Sequence, residues 1–219
     1  MTPAERSSFV KANTEILAVP LAPEIRLHIA HEAVPIWQKT EDELGEIGLP
    51  PPFWAFAWAG GQALARHVLD HPELVRGCRV IDLASGSGLV AIAAMKAGAR
   101  SVLAADIDDF AIAAIALNAT LNDVEVAATN ADLLASPTPA CDVILVGDLF
   151  YEQSLAAKCI FWLSTAKQRG IDVLIGDPGR SYLPKDRLTS IATYAVPVTR
   201  DLEDAEIKKT SVWRLSPNC

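Results

Sequence analysis

Arg79-Val80-Ile81-Asp82-Leu83-Ala84-Ser85-Gly86-Ser87-Gly88-Leu89-Val90-Ala91 decides the reading of the chain. A short apolar run with an acid near its end meets a turn of small residues, and an alanine-rich helical pattern follows. Glycine at the turn permits positive φ and removes the Cβ atoms that would hold a ligand off the backbone. The helix start beyond it offers unpaired N–H groups and a positive dipole end to a carboxylate or phosphate. A nucleotide-like ligand is the first inference. Gly86-Ser87-Gly88-Leu89-Val90-Ala91 also fits the dinucleotide fingerprint, with Asp106 where its ribose-binding acid belongs, so a nicotinamide-dependent oxidoreductase stays open on spacing alone.

Around this stretch the pattern alternates. Strands are expected at 79–83, 101–106, 124–129, 141–147 and 171–176, with helices at about 88–97, 108–121 and 153–168 between them. Strands separated by helices imply a parallel sheet with right-handed crossovers. Ala192–Thr199 and Ile207–Leu215 are both strand-like and leave no room for a helix between them, so they are expected to form an antiparallel hairpin at the sheet edge. The loop joining them holds Asp201, Glu203, Asp204 and Glu206.

Upstream, Pro3–Ala18 reads as a short amphipathic helix and Pro23–His31 as a second helical piece. Ala33–Lys39 reads as extended, Glu41–Glu46 as a charged turn, and Pro50-Pro51-Pro52 as extended. Residues 1–52 are expected to cap a main domain at 53–219. Phe53-Trp54-Ala55-Phe56-Ala57-Trp58 is dense in aromatics, which suits either core or the wall of a ligand pocket, and Ala59-Gly60-Gly61 opens a helix through Leu69. His67 and His71 read as exposed histidines at a helix end.

With 219 residues, half of them hydrophobic and 21% charged, the chain can build one α/β domain with an ample core. The apolar run near the fingerprint is cut by Lys96 and Gly98, so no membrane span is expected, and the first residues show no signal-peptide pattern. Cys78, Cys141, Cys159 and Cys219 lack metal-ligand spacing and read as reduced packing residues, so no metal and a cytoplasmic setting are expected. Asp and Glu (27) outnumber Lys and Arg (19), giving a net charge of −8. That balance disfavours a surface that tracks phosphates and would suit a basic protein partner.

Asp82, Asp106, Asp132, Asp148 and Asp177 stand at or just beyond the carboxyl ends of the five expected parallel strands, where open α/β sheets bind ligands. Asp108 reads instead as a helix cap. Five acids in that pattern suit a ligand rich in hydroxyl and amino donors or carrying positive charge. S-adenosylmethionine, with a sulfonium, an ammonium, two ribose hydroxyls and an adenine amino group, answers that description.

The same residues carry a resemblance. Val80-Ile81-Asp82-Leu83-Ala84-Ser85-Gly86-Ser87-Gly88 resembles the first motif of seven-stranded, class I S-adenosylmethionine-dependent methyltransferases, as do Asp106 and the terminal hairpin. Gly147-Asp148-Leu149-Phe150-Tyr151-Glu152 resembles a motif of the protein-lysine methyltransferases of that class. Ile175-Gly176-Asp177-Pro178-Gly179-Arg180 and the tail from Leu202 to Trp213 look closest to the electron transfer flavoprotein β-subunit lysine methyltransferases in their bacterial form. The resemblance implies a Rossmann-like, doubly wound, mostly parallel seven-stranded sheet. It also implies a monomer acting on a protein substrate, the flavoprotein β-subunit or alternatively a ribosomal protein; a small-molecule N-methyltransferase is a further alternative.

Residue by residue, the resemblance implies that Ala84, Ser85, Gly86 and Gly88 let the backbone approach the methionine part of the cofactor. Asp82 would serve its ammonium, Asp106 with Ile107 its ribose, and Asp132 with Leu133 its adenine. Trp58 matches the tryptophan before the family's cofactor helix, and Asp148 with Tyr151 would face the transferred methyl. Ala84-Ser85 departs mildly from the glycine-containing pair common in the class. The Asp-Leu-Phe-Tyr segment and the hairpin count against the oxidoreductase. Leu149-Phe150 in place of two prolines counts against nucleic-acid amino methylation. The glycines and acids retained together count against a non-catalytic binding module.

Overall fold

The computed structural model describes residues 1–30, 35–36, 38–39, 51–198 and 206–216. Helix α1 (Pro3–Asn13) is followed by strands β1 (Glu15–Val19) and β2 (Ala22–Ile29), which pair as an antiparallel hairpin. Helix α2 (Ala59–Asp70) then leads into β3 (Arg79–Leu83), α3 (Leu89–Lys96), β4 (Ser101–Ala105), α4 (Asp109–Leu121) and β5 (Ala127–Thr129). The second half runs β6 (Val143–Gly147), α5 (Gln153–Gln168), β7 (Asp172–Asp177), β8 (Leu188–Pro197) and β9 (Ile207–Leu215).

Among the described residues the main sheet has seven strands in the order β5-β4-β3-β6-β7-β9-β8. β5, β4, β3, β6 and β7 are parallel, and β9 runs antiparallel to both β7 and β8. The expected parallel strands and the edge hairpin are therefore present, with β5 starting later than residue 124. The chain leaves β3 toward β4 and β5, then returns to the other side of β3 with β6. That reversal opens a crevice at the carboxyl ends of β3 and β6, the place where such sheets hold ligands.

Residue-by-residue alternation explains the apolar runs. Along β6, Ile144 and Val146 enter one buried cluster with Trp162 and Leu163 of α5, while Val143 and Leu145 enter another with Leu64 of α2 and Ala91 of α3. Both sheet faces are covered, so both sets of alternating residues are apolar. Small residues on α3 bring helix and sheet close, which is why that helix is alanine-rich.

The upstream segment differs from the sequence expectation. The first helix ends at Asn13, and Thr14 takes extended geometry (φ −135°, ψ 161°) where a helix to Ala18 was expected. The expected helix at 23–31 is strand β2 through Ile29. There Ile25 and Leu27 are buried and Glu24 and Arg26 exposed, so the period is two. Packing of Arg26 and His28 backbone N–H groups onto Asn122 Oδ1 (3.1 Å) and Asn118 Oδ1 (2.8 Å) of α4 fixes this strand against the domain. Pro35, Ile36, Gln38 and Lys39 are helical, against the expected extended stretch; the expected turn at 41–46, Pro50, and Asp201, Glu203 and Asp204 lie outside the described residues.

His67 is another correction. It is buried, and its Nδ1 lies 3.0 Å from the Tyr194 hydroxyl of β8, so it joins α2 to the edge hairpin. His71 pairs with Glu73 at 3.2 Å. Cys141 and Cys159 are buried in the core, as packing residues are. Among the described residues no helix is long and apolar enough to cross a membrane.

Candidate active site

A cavity of about 530 Å³ opens at the crevice between the β3 and β6 ends. Its floor is the turn after β3. Ala84 (φ 54°) and Gly86 (φ 53°) both take the left-handed conformation, and Gly86 N–H donates to Asp106 Oδ2 at 2.8 Å. A Cβ on Gly86 would make ordinary contact with the Phe53 carbonyl at 3.8 Å and Trp54 Cα at 3.9 Å. Gly88 (φ 83°) starts α3 and does not line the cavity; a Cβ there would press on Ile115 at 3.3 Å.

Asp82 ties this turn to the helix behind it. Its Oδ2 accepts from the Ser85 hydroxyl at 2.5 Å and from Ala91 N–H at 3.0 Å. Complete burial pushes its carboxyl up to about 7, against the pull of those two hydrogen bonds. Asp106 uses both oxygens on backbone, Oδ2 for Gly86 and Oδ1 for Asp108 N–H at 3.0 Å, and burial raises it as well. Asp108 caps α4 through Phe110 N–H at 2.8 Å, the role expected of it. Ile107 stands exposed at the rim, while Asp132 caps a short turn through Leu134 N–H at 3.0 Å beside the buried Leu133.

The opposite wall carries Asp148, and the sequence around it is shaped by contact. Gly60, Gly147 and Gly176 let α2 lie directly on the ends of β6 and β7. A Cβ on Gly60 would fall 2.2 Å from the Gly176 carbonyl and 2.5 Å from Asp148 Oδ2. Asp148 itself is left-handed (φ 51°), a conformation that Asp and Asn tolerate best among residues with a Cβ. Strain of that kind concentrates where a side chain must be aimed. Gly60→Ala is expected to lower stability by about 1–3 kcal/mol through overpacking and to lower turnover as Asp148 is pushed aside. Thermal unfolding and an activity assay on the same sample test both effects.

Asp148 Oδ2 accepts Gly61 N–H at 3.1 Å, and Oδ1 accepts from Arg180 at 2.8 Å (Nη2) and 3.2 Å (Nε). Burial pushes Asp148 up to about 6, opposed by the Arg180 charge and reinforced by Asp177. The Arg180 guanidinium lies 5.9 Å from the Trp58 ring centroid. Trp58 precedes α2 and donates from Nε1 to the Phe53 carbonyl at 2.8 Å. Phe53 in turn packs at 5.4 Å, tilted by 48°, against Tyr151, which is 45% exposed at the cavity mouth rather than buried in the core.

Eleven of the expected site residues thus line one cavity: Trp58, Asp82, Ala84, Ser85, Gly86, Asp106, Ile107, Asp132, Leu133, Asp148 and Tyr151. Sequence reasoning did not single out Arg180, Phe53 or Lys158, which line it too. Only Phe53 had a local signal, the aromatic cluster. Arg180 meets Asp148 across 32 positions, and no spacing rule reaches that far.

The cavity pairs a glycine turn and Asp106 on one side with an acid set among aromatic rings on the other. Known proteins are similar to this chain in sequence and in fold. A family model described as ribosomal protein L11 methyltransferase (PrmA) matches residues 63–147. A ribosomal protein L11 methylase from Lactobacillus delbrueckii superposes with a TM-score of 0.52 at 24% identity, over 70% of this chain and 77% of that one. A magnesium protoporphyrin IX methyltransferase from Synechocystis, solved with S-adenosylmethionine bound, gives 0.51 at 16% identity, over 72% and 80%. These two share the Rossmann-like fold. An electron transfer flavoprotein beta subunit lysine methyltransferase of Xenopus laevis is 38% identical over 216 residues, spanning 96% of this chain and 87% of the relative. The human protein of that name is 35% identical over 223 residues, spanning 97% and 83%. At 35–38% identity over nearly its whole length, the chain belongs to the electron transfer flavoprotein β-subunit lysine methyltransferase family.

Proposed function

We propose that this protein is an S-adenosylmethionine-dependent protein-lysine N-methyltransferase whose substrate is the β-subunit of electron transfer flavoprotein. The observation that carries the reading is one cavity with two chemically different walls. The glycine turn and Asp106 form one wall, and Asp148 among Phe53, Trp58 and Tyr151 forms the other. The names of the relatives support the choice of substrate.

The residues present fit the cofactor. Gly86 puts backbone without a side chain on the cavity lining, and Asp106, bonded to its N–H, would offer a carboxylate to the ribose. Asp132 and Leu133 would frame the adenine, Asp82 would meet the ammonium directly or through water, and Trp58 would wall the methionine part. Bound there, S-adenosylmethionine supplies an electrophilic methyl on a sulfonium.

The chain's own work is on the acceptor. A free lysine titrates near ~10.4, so the amine must lose its proton before it can attack, and an apolar slot helps by desolvating the charged form. Phe53 and Tyr151 would flank the aliphatic stem, and ionised Asp148 would accept an N–H from the amine and aim it. As positive charge builds on nitrogen, the same carboxylate stabilises it.

This reading has a pH signature. Turnover is expected to fall as pH drops through about 6, where Asp148 takes up a proton. Protonation of Asp148 does not itself drive unfolding in this window, although the buried His28 and His67, whose pKa values burial lowers, favour the unfolded state as pH falls. Asp148 and Asp82 both have raised pKa values, so at these two sites the folded chain holds more protons than the unfolded one. Their contribution to stability therefore grows as pH falls, until ordinary carboxyls protonate near ~4. Activity and circular dichroism measured together from pH 8 to 5 check this, and full activity at the acid end would contradict it.

Methylation of a ribosomal protein is the second reading, favoured by the family-model match at residues 63–147. That match spans the cofactor wall and stops one residue short of Asp148, so it speaks to the cofactor side rather than the acceptor side. Labelled methyl transfer into a soluble extract, with mass spectrometry of the labelled band, separates the two substrates.

A further inference from the structure

Arg180 sits between Asp148 and Trp58 on the wall that the proposed function gives to the acceptor. Its guanidinium takes Asp148 Oδ1, while Oδ2 is engaged by the α2 backbone, and it lies against the face-bearing wall formed by Trp58. Carboxylate on one side and indole on the other is also the setting a methylated ammonium prefers. The Arg180 side chain keeps 21% exposure, so it has a route to solvent. Its backbone is held in place. Asp177 Oδ1 accepts from Gly179 N–H at 2.6 Å and Arg180 N–H at 2.7 Å, pinning the loop to the end of β7. The side chain can swing while the loop stays.

We propose that Arg180 is a positioning residue that holds the acceptor seat. Its guanidinium closes on Asp148 and Trp58 when substrate is absent, and the incoming lysine side chain displaces it. The lysine enters as its ammonium, so one cation replaces another, and after its proton has gone to water the neutral amine still donates an N–H to the buried carboxylate. On return, Arg180 competes with the methylated product for the same oxygen and favours its release. The idea rests on the reading of this cavity as the methyl-transfer site. The charged groups that face Asp148 are Arg180 and Asp177; Asp82, Asp106, Asp108, Asp132 and Lys158 line the same cavity.

The test measures binding without turnover. The probe is n-butyltrimethylammonium, whose head and chain copy a trimethylated lysine side chain. It is titrated calorimetrically into the full-length protein saturated with S-adenosylhomocysteine, buffered above pH ~8 so that Asp148 stays ionised. If Arg180 fills the seat in nine molecules of ten, Arg180→Ala binds the probe about tenfold more tightly than wild type. Arg180→Lys, which can still close on Asp148, stays near wild type. Adding Asp148→Asn to Arg180→Ala removes the gain. A residue with a merely structural role would shift affinity the other way.

Equal or weaker probe binding in Arg180→Ala, with S-adenosylhomocysteine affinity preserved, overturns the proposal. If that variant no longer binds S-adenosylhomocysteine, Arg180→Gln is judged by the same comparison. Failure of the wild type to methylate the flavoprotein subunit would count against the proposed function and leave the probe result readable on its own.

Discussion

Asp148→Asn lowers turnover by about 10²–10³ while leaving cofactor affinity and the fold nearly unchanged, the loss typical of one well-placed electrostatic contact. Asparagine keeps the shape, and it is among the residues most at home at φ 51°, so the backbone has no reason to move. Its amide can still accept Gly61 N–H. What disappears is the charge that faces Arg180 in the resting protein and the amine in the reacting one. The glycine turn and Asp106, on the β3 side, are untouched. Calorimetry with S-adenosylmethionine and single-turnover methyl transfer on the same preparation separate the two effects. Wild-type turnover in the variant would remove Asp148 from the mechanism.

The opposite wall fails differently. Gly86→Val is expected to weaken cofactor binding by about a hundredfold or more, ~2.7 kcal/mol. A β-branched residue resists the left-handed conformation that Gly86 holds at φ 53°, and its side chain would project into the cavity. Relief of that strain would also disturb the Gly86 N–H bond to Asp106, taking the ribose acid out of register. Thermal unfolding distinguishes a blocked site from a misfolded chain. A folded variant with normal cofactor affinity would make Gly86 a turn residue alone.

These two sites were unequally legible. The glycine turn and the acids at the strand ends follow from local rules, because each sits a fixed distance from a strand-to-helix boundary. The parallel sheet was legible for the same reason, as runs such as Val143–Val146 are apolar on both faces and bounded by turns. The upstream hairpin was misread because Pro23 suits a helix start as well as a strand end, and the alternation of Ile25 and Leu27 is too short to prevail over it. Partners far apart in sequence were invisible. His67 meets Tyr194 across 127 positions, and Arg180 meets Asp148 across 32. A histidine near a helix end and an arginine in a loop look solvated until a distant element covers them.

Gly60, Gly147 and Gly176 are a middle case. They stand in stretches the sequence marks out, but the need for glycine at each follows from the approach of α2 to the β6 and β7 ends, which explains all three at once. That approach is what aims Asp148 into the cavity. The acceptor wall therefore depends on long-range packing, whereas the cofactor wall depends on one contiguous motif.

Acceptor identity is the central claim, and mass spectrometry of a purified pair tests it most directly. Recombinant electron transfer flavoprotein is incubated with this protein and S-adenosylmethionine, and the β-subunit is then weighed intact and mapped by peptide. The account predicts mass gains of whole methyl groups confined to lysines of the β-subunit, absent without cofactor and nearly absent with Asp148→Asn. An unmodified β-subunit, in the presence of a wild-type protein that binds S-adenosylmethionine, would contradict it.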